Sequence, residues 1–272
     1  MSILNIARLE LLIARRNMWV TTSILLMAVF SLVLTLAGAT PVGTAGVSPL
    51  LVATTSITTL SVYLVPLVAL LLSFDAISGE IERGTLALNL SYPLSRAEIL
   101  IGKFLAHLLV LGFAVAVGLG LAGLLVVWQS GNADMSFFPL IRLFATSLAL
   151  GSAFLGLGYL VSSLVRQPGV ASGAAIAIWL VAVVLYDLVL LGVLVSDGGG
   201  VFTKTLFPWL LVANPADAFR LLNMPEVLVP ELTSGFSNAG LVSGFTGQLT
   251  SLLLWPVLAL LLAWTAIRRV EP

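Results

Sequence analysis

The residues with chemistry to offer crowd into one stretch, residues 75–103, DAISGEIERGTLALNLSYPLSRAEILIGK. It holds Asp75, Glu80, Glu82, Arg83, Arg96, Glu98 and Lys103, seven members of a complement of only twelve acidic and twelve basic residues. Their chemistry is ion pairing and helix capping rather than catalysis. Ser95 and Glu98 have the spacing of a capping box, in which the serine hydroxyl accepts from the Glu98 amide and the glutamate reaches back to the Ser95 amide. Pro93 keeps the chain before it out of a helix. The spacing therefore predicts a helix that starts at Ser95 and carries Lys103 inward. Ahead of it, residues 84–92 read as a short amphipathic helix bounded by Gly84 and Pro93, with Leu86 and Leu90 on one face at i, i+4. A plain solvated connection is the alternative reading. A patterned, charged loop on a chain this poor in charge is where a soluble partner would grip.

Outside that stretch the candidates are few. Asp187 is the most intramembrane charge; an aspartate near a helix centre costs about 2.5–3.5 kcal/mol on insertion scales, so it must face protein or water. It could line a substrate path, pair across a subunit contact, or serve a hydrogen-bonded structural role. The sole histidine, His107, sits one turn inside an apolar run, where packing or hydrogen bonding accounts for it better than metal ligation. There is no cysteine, which excludes disulfides, thiolate metal sites and thiol catalysis. The sequence holds no G-x-x-x-x-G-K-[ST], H-E-x-x-H or G-x-S-x-G pattern, so the chain does not bind ATP in the P-loop manner. Residues 118–123, GLGLAG, match G-x-G-x-x-G, but that fingerprint needs a preceding strand in a βαβ unit; here small residues for close helix packing are the better account. Ser152/Gly156 and Gly169/Gly173 carry the same small-xxx-small spacing and suit either a dimer contact or packing within the chain.

The elements that must position these groups are membrane helices. Of 272 residues, 60% are hydrophobic and 9% charged, against about 25% charged in soluble domains, and the mean hydropathy is +1.15. The net charge of zero gives no basic surface for nucleic acid. Residues 2–16 are amphipathic and read as a helix lying in the interface. Six apolar runs of about the 20 residues a bilayer needs follow, at about 19–39, 57–74, 104–128, 140–164, 173–195 and 249–267. Pro66 is a candidate kink in the second. Residues 37–39 resemble a signal-peptidase site, but the apolar run is longer than a signal sequence requires, which favours retention as a span. Nine of the twelve basic residues fall on the side of the termini; Arg142, Lys204 and Arg220 fall on the other. That asymmetry places both termini and the 75–103 loop in the cytoplasm. The expectation is one all-α membrane domain over 1–272.

The outer loop, 196–248, contains FPWLLVANPADAFRLLN. Asn214 is placed to cap a short helix with Pro215 at its first position, and the apolar residues before it argue for interfacial or re-entrant packing.

These residues resemble a family. The interfacial NIARLELLIARRNMW, the loop GEIERGTLALNLSYPLSRAEILIGK with its Glu80, Gly84-Thr85, Pro93, Arg96 and Lys103 order, and the turn SSLVRQPGVASG are similar to ABC-2-type permeases, the membrane subunits of ATP-binding-cassette transporters. Within that family the chain most resembles the membrane subunit of the nitrous oxide reductase maturation system. The resemblance implies a homodimer in the bacterial inner membrane bearing a cytoplasmic ABC ATPase dimer, which binds the ATP and Mg; this chain itself would hold no cofactor and be no enzyme. Residues 2–16 would be the elbow helix and 84–92 the coupling helix, with Glu80, Glu82, Arg83, Gly84, Thr85, Leu86, Leu90, Pro93 and Arg96 at the ATPase. A periplasmic β-helical copper-maturation protein would dock on the outer loop through Trp209, Asn214, Pro215, Phe219 and Arg220. The assembly would serve the copper–sulfide centre of nitrous oxide reductase by transport or by force transmission; the alternative is an ABC-2 exporter of a lipid, drug or ion.

Overall fold

The computed structural model describes residues 3–14, 18–38, 49–86, 95–130, 137–198, 200–223 and 234–269, and every regular element among them is a helix. In chain order these are α1 (Ile3–Ala14), α2 (Met18–Gly38), α3 (Pro49–Ser73), α4 (Ser78–Glu82), α5 (Arg96–Ser130), α6 (Phe138–Leu164) and α7 (Pro168–Trp179). A π-helical turn, Leu180–Leu185, then leads into α8 (Tyr186–Asp197), followed by α9 (Val201–Thr205), α10 (Phe207–Ala213), α11 (Pro215–Asn223) and α12 (Ser234–Arg268). An all-helical answer is what an apolar chain in lipid requires, since each helix satisfies its own backbone polar groups.

Among the described residues, five helical runs are long and apolar enough to cross a bilayer: Thr54–Glu82, Arg96–Trp128, Phe138–Leu164, Pro168–Asp197 and Gly244–Arg268. The first apolar stretch forms α2, of 21 residues, with a shorter apolar run, Val20–Leu36. It joins the main core through Val20 and Met27. Gly118 of α5 faces it so closely that a Cβ would lie 2.9 Å from Ser31 Oγ and 3.1 Å from the Met27 carbonyl oxygen. The glycine motif of residues 118–123 is thus partly a packing surface.

The centre of the bundle is α6, which packs against α3, α5 and α12. Leu150, Phe154, Leu155 and Tyr159 on it are fully buried. Two glycines let neighbours approach. A Cβ at Gly156 would lie 3.0 Å from Ala259 Cβ of α12, and one at Gly158 only 1.9 Å from Ser73 Oγ of α3. So Gly156, the second half of one small-xxx-small pair, packs within the chain, whereas Gly169 and Gly173 meet nothing within 4 Å.

Several boundaries differ from the sequence reading. The second span is one helix from Pro49, with proline at its first position, where its fixed φ suits a helix start. It runs through Pro66 and breaks at 74–77 instead. There the Ser162 hydroxyl of α6 accepts from the backbone amides of Ile77 (2.9 Å) and Ser78 (3.0 Å), so the start of α4 is capped from a different span. The last helix begins inside the expected outer loop, at Ser234, and is interrupted at Gly244, whose φ of 60° and ψ of 175° leave the helical region. Pro168–Asp197, the fifth of the six expected apolar runs, departs furthest. Only 11% of its apolar window is buried inside the chain, against 67% for Thr54–Glu82, which puts it at the periphery.

The Gly158–Ser73 contact is tight enough to test the α3–α6 packing. Gly158→Ala is expected to lower stability in detergent by about 1–3 kcal/mol, the usual cost of overpacking, and Ser73→Gly in the same chain is expected to restore most of it. Thermal unfolding of the two variants checks this; a Gly158→Ala melt equal to wild type would overturn the packing.

Candidate functional site

At the end of the bundle where α1, α4 and the start of α5 meet, one buried cation organises the polar groups. Lys103 lies two turns into α5, only 5% exposed. Its ammonium donates to Glu80 Oε1 of α4 at 2.9 Å and to the Glu10 carboxylate of α1. A lysine this deep stays charged only with a carboxylate beside it, and here two come from two different elements. The approach of α1 is close besides: a Cβ on Gly102 would lie 2.8 Å from the Ile6 side chain. Sequence reasoning singled out Lys103 only as part of the charged stretch and did not single out Glu10. The signal was present, because Glu10 is the one acidic residue of residues 2–16.

The capping box at Ser95 forms as the spacing predicts. Ser95 N donates to Glu98 Oε2 at 2.8 Å and Glu98 N donates to Ser95 Oγ at 3.1 Å. The expected contact residues of the loop divide into two sets. Glu82, Arg83, Gly84 and Thr85 are exposed. Glu80 is turned inward to Lys103 and Leu86 is buried. Arg96 is half-buried and its guanidinium donates to the Ile267 carbonyl near the end of α12, filling one of the acceptors a helix C-terminus leaves open. Gly84 takes a φ of +69°, a left-handed turn that ends α4 and that a residue with a Cβ would enter at a cost of about 1–2 kcal/mol. Leu90 and Pro93 lie outside the described residues.

At the opposite end the short helices α10 and α11 pack onto α12, α11 also meets α6 and α3, and α10 touches α8 through Phe207, Leu211 and Leu190. Asn214 caps α11: Ala216 N donates to its Oδ1 at 3.0 Å, as the sequence implies. Its Nδ2 donates to the Ala182 carbonyl of the π turn (2.8 Å) and to Asp217 Oδ2 (3.1 Å). Arg220 bridges the Asp187 carboxylate of α8 and Asp217 Oδ1, the latter at 2.9 Å, and its guanidinium stands 5.8 Å from the Tyr63 ring centroid. Tyr186 Oη donates to the Leu210 carbonyl at 2.7 Å, and Trp255 Nε1 to the Ala213 carbonyl at 2.9 Å. Of the residues expected to meet an outer partner, only Trp209 is well exposed, at 61%. Asn214, Pro215 and Phe219 are buried, and Arg220 is committed to Asp187 and Asp217. Asp187 has its partner within the chain. His107 is likewise internal, its Nδ1 2.7 Å from the hydroxyl of the buried Tyr159.

Asp217 is the residue here that the sequence reading missed. One guanidinium cannot neutralise two carboxylates, and Asp217 is the fully buried one. Burial first, then the Asp187 charge, pushes its carboxyl up to about 8, against the lowering effect of Arg220. Asp217 is the member that keeps its proton. A carboxyl whose folded value is raised binds more protons folded than unfolded, so its contribution is full below the ordinary aspartate value and is lost as pH rises towards about 8. Relative to Asp217→Asn, which cannot ionise, the wild-type chain is therefore expected to lose stability steadily from pH 5 to pH 8. Thermal melts of both proteins across that range check it; a constant difference would sink the assignment.

Similarity to known proteins agrees with this architecture. Residues 4–270 match the family model described as ABC-2 family transporter protein. The chain is 38% identical over 278 residues, 97% of each sequence, to a protein of Stutzerimonas stutzeri described as "Probable ABC transporter permease protein NosY". It is 40% identical over 221 residues, 80% of each sequence, to a Pseudomonas aeruginosa protein of the same description. With nearly its whole length matched and a helical membrane bundle around it, the chain belongs to the ABC-2 family of transporter permeases.

Proposed function

We propose that this chain is the six-span permease of an ABC transporter in the bacterial inner membrane, with both termini in the cytoplasm, working as a homodimer on a separate ATPase dimer. Residues 84–92 are the coupling helix and α1 the elbow helix. In line with the resemblance to the nitrous oxide reductase maturation system, the complex serves copper–sulfide centre assembly on nitrous oxide reductase, with a periplasmic maturation protein meeting the outer helices around Trp209. The observation that carries the coupling role is the Lys103 clamp. A push on the exposed face of Glu82, Arg83 and Thr85 moves α4, and α4 is tied through Glu80 and Lys103 to both the third span and α1. Force enters at the surface residues and is passed inward by the buried ones.

Two experiments test the reading. Charge reversal of Glu82 and Arg83 together is expected to lose the ATPase from the purified complex or to uncouple its hydrolysis; co-purification with normally stimulated ATPase would show that the loop is not the docking site. Lys103→Gln strands two buried carboxylates, and breaking such a pair costs about 3–5 kcal/mol. It is expected to leave the ATPase bound but its stimulation by the permease strongly reduced. Exchanging the charges, Lys103→Glu with Glu80→Lys, keeps the same net charge among the three groups and is expected to restore a substantial part of that stimulation. Full stimulation in Lys103→Gln would remove the clamp from the coupling path.

A further inference from the structure

At the outer end of the bundle a cavity of about 90 Å³ opens between the starts of α3 and α6, lined by Thr54, Thr55, Thr58, Arg142 and Asn223 together with the apolar edges of Phe138, Pro139 and Leu143. Among the described residues no carboxylate lines it. An arginine at a span end is expected to reach out to water or to cap a helix, yet Arg142 Nε is shielded from solvent and has no hydrogen-bond partner. Among the described residues no acceptor meets its guanidinium. A shielded guanidinium N–H left unmade is costly, and the site is otherwise well satisfied. The Thr58 hydroxyl donates to the Thr54 carbonyl at 2.7 Å. Asn223 Nδ2 donates to Thr146 Oγ1 and to the Phe219 carbonyl, both at 2.9 Å. The one strong donor that remains in this cavity is the arginine.

The geometry points to an oxyanion site: Arg142 binds one small tetrahedral oxyanion in the cavity between α3, α6 and α11. A guanidinium presents Nε–H and a neighbouring N–H along one edge, which matches two oxygens of a sulfate or phosphate group. The cavity, about 90 Å³, suits one small oxyanion group and cannot enclose a whole nucleotide or organic drug. The positive charge excludes a metal ion. The same chemistry is offered by a free inorganic oxyanion and by the phosphate of a phospholipid headgroup, and the Arg142 edge would take either.

Two arms separate these sources. In the first, the full chain in phosphatidylcholine nanodiscs is titrated with radiolabelled sulfate and, separately, phosphate. In the second, nanodiscs containing phosphatidylglycerol are examined by native mass spectrometry for one retained anionic lipid per chain. Saturable binding in the first arm identifies a free oxyanion, and retained lipid in the second identifies a headgroup; either supports the site. Arg142→Gln is expected to weaken that binding at least about tenfold, the equivalent of one charged hydrogen bond. Thr58→Leu keeps the cation but fills the cavity, is expected to show the same loss, and decides the matter if Arg142→Gln does not fold. Wild-type chain that binds in neither arm, or Arg142→Gln and Thr58→Leu chains that bind as wild type does, would overturn the proposal.

Discussion

A lysine ammonium buried in an apolar bundle is the constraint from which one end of this molecule follows. Left alone it would carry a desolvation penalty of several kcal/mol, so the chain must bring acid to it. It does so from two directions, Glu10 on an amphipathic N-terminal helix and Glu80 on the short helix after the second span. Within the chain α1 buries Ala7 and Ala14 and little else, and α4 is only five residues long. The ion pairs, with Ser162 capping the start of α4, give these small elements a defined position. Because lipid chains are as apolar as leucine, burial provides little drive between helices in a membrane. Specific polar bonds and close packing take its place.

The opposite end repeats the arrangement of one cation between two carboxylates. There two carboxylates, Asp187 and Asp217, share one arginine, and the excess acid is accommodated by keeping a proton on the buried member. The backbone joins in as well. A π turn shifts the hydrogen-bonding pattern from i→i+4 to i→i+5 and leaves the ladder irregular, and the Ala182 carbonyl within it is taken by Asn214. The open carbonyls near the end of α10 go to Tyr186 and Trp255, as Arg96 serves the end of α12 at the other face. Helix ends inside this bundle are therefore closed by donors from other elements, which fixes how the elements sit.

Local signals were legible in the sequence and long-range pairings were not. The capping box at Ser95 and the Asn214–Pro215 cap rest on neighbours within three residues, and both formed as read. The amphipathic N-terminal helix and the apolar runs rest on periodicity, and they too were readable, apart from where the second and last helices begin. Glu80 is the instructive failure. Its place among Glu82, Arg83 and Gly84 suggested a surface residue, but which face of α4 points inward depends on Lys103, twenty-three positions later, and on Ser162 in a third element. Asn214 and Phe219 were taken as a docking surface because they lie in an outer loop; the packing of α11 against α12, α6 and α3, invisible in local pattern, buries them. The π turn has no composition that sets it apart from the apolar residues around it.

The fifth span brings both ends of the argument together. Its apolar side chains face outward along most of its length, Val181 at 55%, Leu188 at 58% and Val189 at 63% exposed, so lipid or a second copy of the chain covers them. What ties it to its own bundle is one narrow buried face, Ala171, Ala175, Val183 and Leu190, and a few polar bonds: Trp179 Nε1 to the Tyr63 carbonyl at 2.9 Å, Asn214 to Ala182, Tyr186 to Leu210, and Arg220 to Asp187. A helix held by a few directional bonds, with an irregular turn in the middle of them, has discrete arrangements available where a helix sunk in a packed core does not. Three of those four bonds run to α10 and α11. The element most open to its surroundings is thus tied to α10 and α11 by directed bonds as well as to the core by a narrow buried face.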